Sequence, residues 1–169
     1  MNPDYAKILK FAMSMEMDGH NFFKEKAAGF SNPTTRELFE QLAQVELGHY
    51  HFLKSELERY TEDAENYEVD TDFMKNEGTD SIFKEREKSE HLDTTLLESD
   101  VPDMTVLRMA YLIERDFAEF YEESRDSVDD ERLKDLFDRL AKWEYTHEDI
   151  FKKEYKRLKK EYMNLPWGG

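Results

Sequence analysis

At 169 residues the chain has the size of a single domain and is long enough to bury a core. Its net charge of −16, with 38% charged residues, argues against nucleic acid or an anionic membrane surface as a partner, because both are bound through clustered Lys and Arg. The absence of cysteine excludes disulfides, thiolate zinc sites, thiolate-ligated iron–sulfur clusters and a rubredoxin-type four-cysteine iron centre within these residues.

Glycine and proline are sparse, at 6 and 4, and the composition favours helix throughout. A first helix is predicted over about residues 3–28, with Asn2 as cap and Pro3 at its first position. Ile8, Phe11, Ala12, Met15, Gly19, Phe22 and Phe23 recur along it at helical spacing. Met13, Met15 and Met17 alternate every second residue, spread around the helix and read as core and flank filling. Gly29-Phe-Ser-Asn-Pro breaks this helix, and Asn32-Pro33 starts a second by the same device, which frays after Tyr60. Residues 61–77 are acidic and weakly periodic and read as loop. A short helix is expected from Thr79-Asp80 through Ile82, Phe83 and His91 to Leu96-Leu97. Asp100-Val-Pro102 restarts a long helix, Ser127-Val-Asp-Asp marks the next turn, and a fourth helix runs over about 131–162 before an irregular tail. The expected architecture is an all-α four-helix bundle in one domain. Its parts are a hairpin over about 3–62, a long crossover over 63–101 and a second hairpin over 102–162. No apolar run approaches a membrane span and no signal peptide is evident, so the expected location is cytoplasmic.

The two hairpins are copies. Residues 8–53 slide without a gap onto 106–151, pairing Leu9 with Leu107, Ala12 with Ala110, Leu38-Phe39 with Leu136-Phe137 and Leu42-Ala43 with Leu140-Ala141. Glu16, Glu46 and His49 fall on Glu114, Glu144 and His147, each offset being 98 residues. Each hairpin turn, centred near Ser31 and Asp129, lies 15 residues from the glutamate before it and 15 from the one after. Paired glutamates therefore stand at one height, roughly 22 Å from their turn at about 1.5 Å per residue. Glu46 and His49, like Glu144 and His147, are three apart and share a helix face. The faces are apolar, with Ala12, Gly19, Ala43, Ala110 and Ala141 leaving room for metal and a small substrate. Four carboxylates buried together would protonate unless compensated, and two divalent cations balance them. A lone Glu-x-x-His on a helix means little in a glutamate-rich chain, but six residues duplicated in register point to a two-metal site, most simply of iron.

The phrases Glu16-Met-Asp-Gly-His-Asn-Phe-Phe, Glu37-Leu-Phe-Glu-Gln-Leu-Ala-Gln-Val-Glu46-Leu-Gly-His49 and Leu136-Phe-Asp-Arg-Leu-Ala-Lys-Trp-Glu144-Tyr-Thr-His147 resemble the rubrerythrins of the ferritin-like di-iron carboxylate class. The likeness covers about 5–60 and 103–160 and not the middle segment. It implies that Glu16, Glu46, His49, Glu114, Glu144 and His147 hold two iron ions, with Glu46 and Glu144 as the candidates to bridge. It implies reduction of hydrogen peroxide, or of dioxygen, with electrons from a separate donor protein such as a rubredoxin. Typical rubrerythrins carry a further glutamate one turn after the third-helix ligand; here Phe117 stands there, and Gly19 at the matching place in the first helix. That departure keeps a ferroxidase-type iron-binding protein in view as an alternative, and a metal-free helical interaction module as another. Manganese or a mixed centre suits the same ligands. A ferritin cage is disfavoured by the spacing of 68 residues from Glu46 to Glu114. Tyr121 reads either as a hydrogen-bond donor to a ligand carboxylate, which its repeat mate Phe23 cannot be, or as an aromatic residue of the core. His20, four residues after Glu16, reads as a residue beside the site or at the surface, His51 and His91 as surface residues, and Trp143 as packing. A homodimer through exposed apolar residues or the middle segment is a further expectation.

Overall fold

The computed structural model describes residues 3–70, 72–73 and 100–164. Four long helices make up the described fold: α1 (Pro3–Ala27), α2 (Pro33–Glu62), α3 (Asp100–Ser127) and α4 (Glu131–Met163). The expected Asn32 cap is in place. Asn32 has extended backbone and its side chain accepts from Thr35 N at 3.1 Å, with Pro33 opening α2 behind it. Asp130 does the same for α4 through Arg132 N at 2.9 Å. The expected Asn2 cap, the short helix from Thr79-Asp80 with His91, and the irregular tail from 165 on lie outside the described residues.

Ring and side-chain contacts set the arrangement. Within the hairpins, Tyr5 meets Tyr60 and Phe23 meets Phe39, while Tyr121 meets Phe137 and Tyr111 meets Tyr155. Between hairpins, α1 touches α3 through Phe11 and Phe120, and α2 touches α4 through Phe39 and Phe151. In each of these four pairs the residue number rises on one helix as it falls on the other, so all neighbours are antiparallel. The geometry places the end of α2 beside the start of α1, and the start of α3 at the far end of the bundle. The first residues of the crossover lie along α2 and α4: Tyr67 packs on Tyr60 near Arg132, and Phe73 stacks on Phe52 at 4.6 Å and lies 6.0 Å from Trp143.

The apolar core is in two pieces, and the pieces are images of each other under the repeat. One gathers Leu9, Ala12, Tyr121, Leu136, Phe137 and Leu140 among others; the second gathers their counterparts Leu107, Ala110, Phe23, Leu38, Phe39 and Leu42. The layer between them holds the glutamates and histidines.

The duplication also runs further than the apolar pattern shows. Glu56 and Arg59 on α2 pair with one another, and 98 residues later so do Glu154 and Arg157 on α4. Both glutamates are buried. Each takes a further donor that ties the bundle together: Thr35 Oγ1 reaches Glu154 at 2.8 Å, and Tyr67 OH on the crossover donates to Glu56. Tyr67→Phe should cost about 1–3 kcal/mol in denaturant unfolding, because it strips a donor from a buried carboxylate without refilling the place. A loss within a few tenths of wild type would show that the crossover is anchored by its rings alone.

Candidate metal centre

Glu16, Glu46, His49, Glu114, Glu144 and His147 are each fully buried, and all six converge on the layer between the two core clusters. Each helix supplies one carboxylate from its inward face, and α2 and α4 add an imidazole one turn further on. Both imidazoles face the carboxylates through Nδ1. His49 Nδ1 lies 3.4 Å from Glu16 Oε2, 3.6 Å from Glu46 Oε2 and 3.3 Å from Glu144 Oε1. His147 Nδ1 lies 3.4 Å from Glu46 Oε1, 3.3 Å from Glu114 Oε2 and 3.0 Å from Glu144 Oε2.

Two groups of ligand atoms, each drawn together within 4.8 Å, follow from these distances: Glu16, Glu46, His49 and Glu144, and Glu46, Glu114, Glu144 and His147. Glu46 and Glu144 belong to both, offering different oxygens to each imidazole. An oxygen and nitrogen donor set of this kind, with two shared carboxylates, can hold two divalent ions side by side. The buried polar atoms fit that use. Glu16 Oε2, both oxygens of Glu46, both of Glu114 and Glu144 Oε1 have no hydrogen-bond partner among the described residues. The other buried glutamates are neutralised by cations: Glu56 by Arg59, Glu148 by Arg115 at 2.6 Å and Lys152 at 2.7 Å, and Glu154 by Arg157 at 2.8 Å. Among the described residues no lysine or arginine bonds to the orphaned oxygens of the centre.

Protonation is how the metal-free layer tolerates this crowding. Burial, then repulsion from Glu114, Glu144 and Glu16, pushes Glu46 well above the usual carboxylate range. Burial and repulsion from Glu144 and Glu16 do the same to Glu114. Burial also acts to raise Glu144, but the flanking His147 and His49 outweigh it and hold this carboxyl below its ordinary value. Burial lowers His147, and Glu144 beside it more than offsets that, leaving the imidazole raised. A cation entering the centre therefore displaces protons, and its uptake should strengthen as pH rises.

The residues around this layer are placed more specifically than their spacing foretold. Tyr121 is fully buried and its hydroxyl donates to Glu16 Oε1, crossing from α3 to α1. Burial, and then the charge of Glu16, raise this phenol well above its ordinary range, so it stays a donor. Trp143 does more than fill space, because its ring lies flat on His49 with centroids 5.1 Å apart and planes 11° apart. His49 is in turn stacked on His147 at 5.5 Å. His20 is buried but turned away from the ligand groups, its Nδ1 2.6 Å from the carbonyl oxygen of Ala43. His51 is exposed. Met13, Met15 and Met17 are half-buried, and Met13 packs against the first core cluster.

Gly19 does not leave open room. A methyl group there would sit 3.1 Å from Phe117 Cε2 and 3.5 Å from Glu46 Cγ, so the phenyl ring already occupies the space beside the ligand. The two positions one turn after the α1 and α3 ligands thus interlock, small residue against large.

A family model described as Rubrerythrin matches residues 7–155 of the chain. Comparison with curated proteins and with solved structures finds no match.

Proposed function

The chain belongs to the rubrerythrin family, and from that premise we propose that it is a non-haem di-iron oxidoreductase that reduces hydrogen peroxide or dioxygen with electrons from a separate donor protein. The observation that supports this most directly is the sharing of Glu46 and Glu144 between two ligand groups in a layer closed above and below by apolar packing. Two ferrous ions bound there would supply the two electrons that convert hydrogen peroxide and two protons into two molecules of water. The chain's own part is to hold the ligands in place and to keep bulk water out. It also places a proton-bearing phenol, Tyr121, against Glu16. These residues hold no cysteine and so no rubredoxin-type centre of their own, which supports a separate donor protein, of which a rubredoxin is one kind. No described helix is long and apolar enough to cross a membrane, which is compatible with work in the cytoplasm.

A second reading, ferroxidase chemistry in the service of iron uptake or transfer, draws support from Phe117 packed on Gly19. A phenyl ring there cannot ligate iron, so the fixed set of six residues has to serve both oxidation states. Anaerobic Fe(II) titration of the metal-free protein, followed by peroxide with excess reductant, tests both readings. The oxidoreductase reading expects two equivalents bound per chain and many turnovers. A single round of oxidation with release of ferric iron would favour the second reading, and no uptake would remove both.

A further inference from the structure

The two ligand groups are related by the repeat, so any difference between them has to come from positions where the repeat is broken. The Gly19–Phe117 break lies beside Glu46, which both groups share; two others touch residues that belong to one group only, and both favour the same group. Tyr121 donates to Glu16, whereas the corresponding pair is Phe23 and Glu114, where no hydroxyl exists and both carboxylate oxygens are without a hydrogen-bond partner among the described residues. The ring environments correspond in part, although Phe23 also meets Phe151 at 5.2 Å, where the repeat mate on the Tyr121 side is Leu53. Tyr121 sits 5.5 Å from Phe120 and 6.3 Å from Phe137, and Phe23 sits 5.4 Å from Phe22 and 5.7 Å from Phe39, the repeat mates of those two. The second break is Trp143, stacked on His49; its counterpart Val45 offers His147 no ring.

We infer that the two metal positions are unequal, that the one formed with Glu16 and His49 fills first and more tightly, and that Tyr121 is the positioning residue responsible. This rests on the metal-site reading given above. A hydroxyl on Glu16 Oε1 holds the carboxylate with Oε2 turned toward the centre, so little side-chain freedom is left to lose when a cation binds. Trp143 limits the tilt of the His49 ring in the same way. Glu114 lacks a hydroxyl brace of this kind, so more of its ordering falls to the ion. Partners behind a metal ligand commonly alter affinity by about 10–100-fold, which sets the size of the expected difference.

The test is anaerobic titration of metal-free protein with Co(II), which does not react with the residual oxidants that complicate iron, followed by NMR of ¹⁵N-labelled histidine. At one equivalent, the His49 ring should be shifted and broadened well before that of His147, with dissociation constants separated by about 10–100-fold. Repulsion between two cations would also separate the steps, so the deciding readout is which imidazole responds first. Tyr121→Phe should weaken the first step by about tenfold or more while leaving the second near its wild-type value. Phe23→Tyr should strengthen the second, and the double exchange should move early occupancy toward His147. Equal response of both histidines at one equivalent, or an order and separation unchanged in the double exchange, would overturn the inference. Failure of the wild-type protein to bind Co(II) at all would instead strike the metal-site reading on which it rests.

Discussion

Alanine in place of Glu46, or of Glu144, is expected to abolish two-metal binding, whereas alanine at Glu16 or Glu114 is expected to leave close to one metal per chain. The difference follows from membership of the ligand groups. Glu46 and Glu144 each face both imidazoles, while Glu16 faces only His49 and Glu114 only His147 among the measured contacts. Removing a shared carboxylate takes a ligand from both positions and leaves two cations without the negative group between them. Metal analysis after anaerobic loading and gel filtration reads the outcome. Thermal unfolding supplies a second readout. Two ions, each at about a hundred times its dissociation constant, would stabilise the fold by roughly 5 kcal/mol together, or on the order of 10–20 °C for a chain of this size. That rise should vanish in Glu46→Gln, yet the metal-free form of this variant should be more stable than wild type near neutral pH, since it no longer buries an ionisable group among three others. A site optimised for stability would behave in the opposite sense. Two equivalents retained in both alanine variants would sink the assignment of the shared ligands.

The fold was unusually legible because two independent signals agreed. Helical spacing of apolar residues placed the helices, and Asn32-Pro33 and the Ser127-Val-Asp-Asp turn placed two of their starts within a residue of where the capped backbone puts them. The offset of 98 residues then fixed which faces meet, since a repeat that conserves both apolar and charged positions must be built around one axis. What the spacing could not supply was the partner of each polar group. Tyr121 is within reach of several carboxylates by count alone, and only the crossing of α3 over α1 selects Glu16. Trp143 looks like any aromatic at a helix–helix seam until α2 is set beside α4 and His49 falls beneath it. His20 is drawn off by the backbone of Ala43 on the neighbouring helix. Buried Glu56 and Glu154 went unseen for a different reason. In a chain with 40 acidic residues a buried glutamate has no local mark, and their repetition stands out only once both are found beneath arginines. The early crossover was harder still, because Tyr67 and Phe73 are held by a groove between two helices far apart in sequence, and no short-range periodicity encodes that.

The metal-free protein should lose stability as pH rises from about 5 to about 8, and cation binding should reverse the trend. Glu46 and Glu114 have folded-state values raised above the ordinary 4.5. Their contribution is therefore complete below that value and is lost as pH climbs through the raised ones, because the folded chain keeps protons that the unfolded chain has released. His147, raised from 6.5, acts in the same direction, stabilising the fold while charged and ceasing to do so as pH passes its folded value. Glu144 is displaced downward and stays ionised throughout this window, so it adds a constant and matters only in strong acid. Each proton held in excess by the folded state corresponds to about 1.4 kcal/mol per pH unit, or roughly 3–6 °C in Tm per unit. Saturating Mn(II), chosen because it is slow to oxidise, replaces those protons with cations and should flatten or invert the slope. Tm measured across this range with chelator and with Mn(II) decides the matter. Parallel curves would mean that the glutamates titrate independently of the metal, and that cations sit somewhere other than the buried layer; a metal-free curve that rises with pH would show that the carboxylates are compensated from within the protein, leaving no electrostatic need for metal at all.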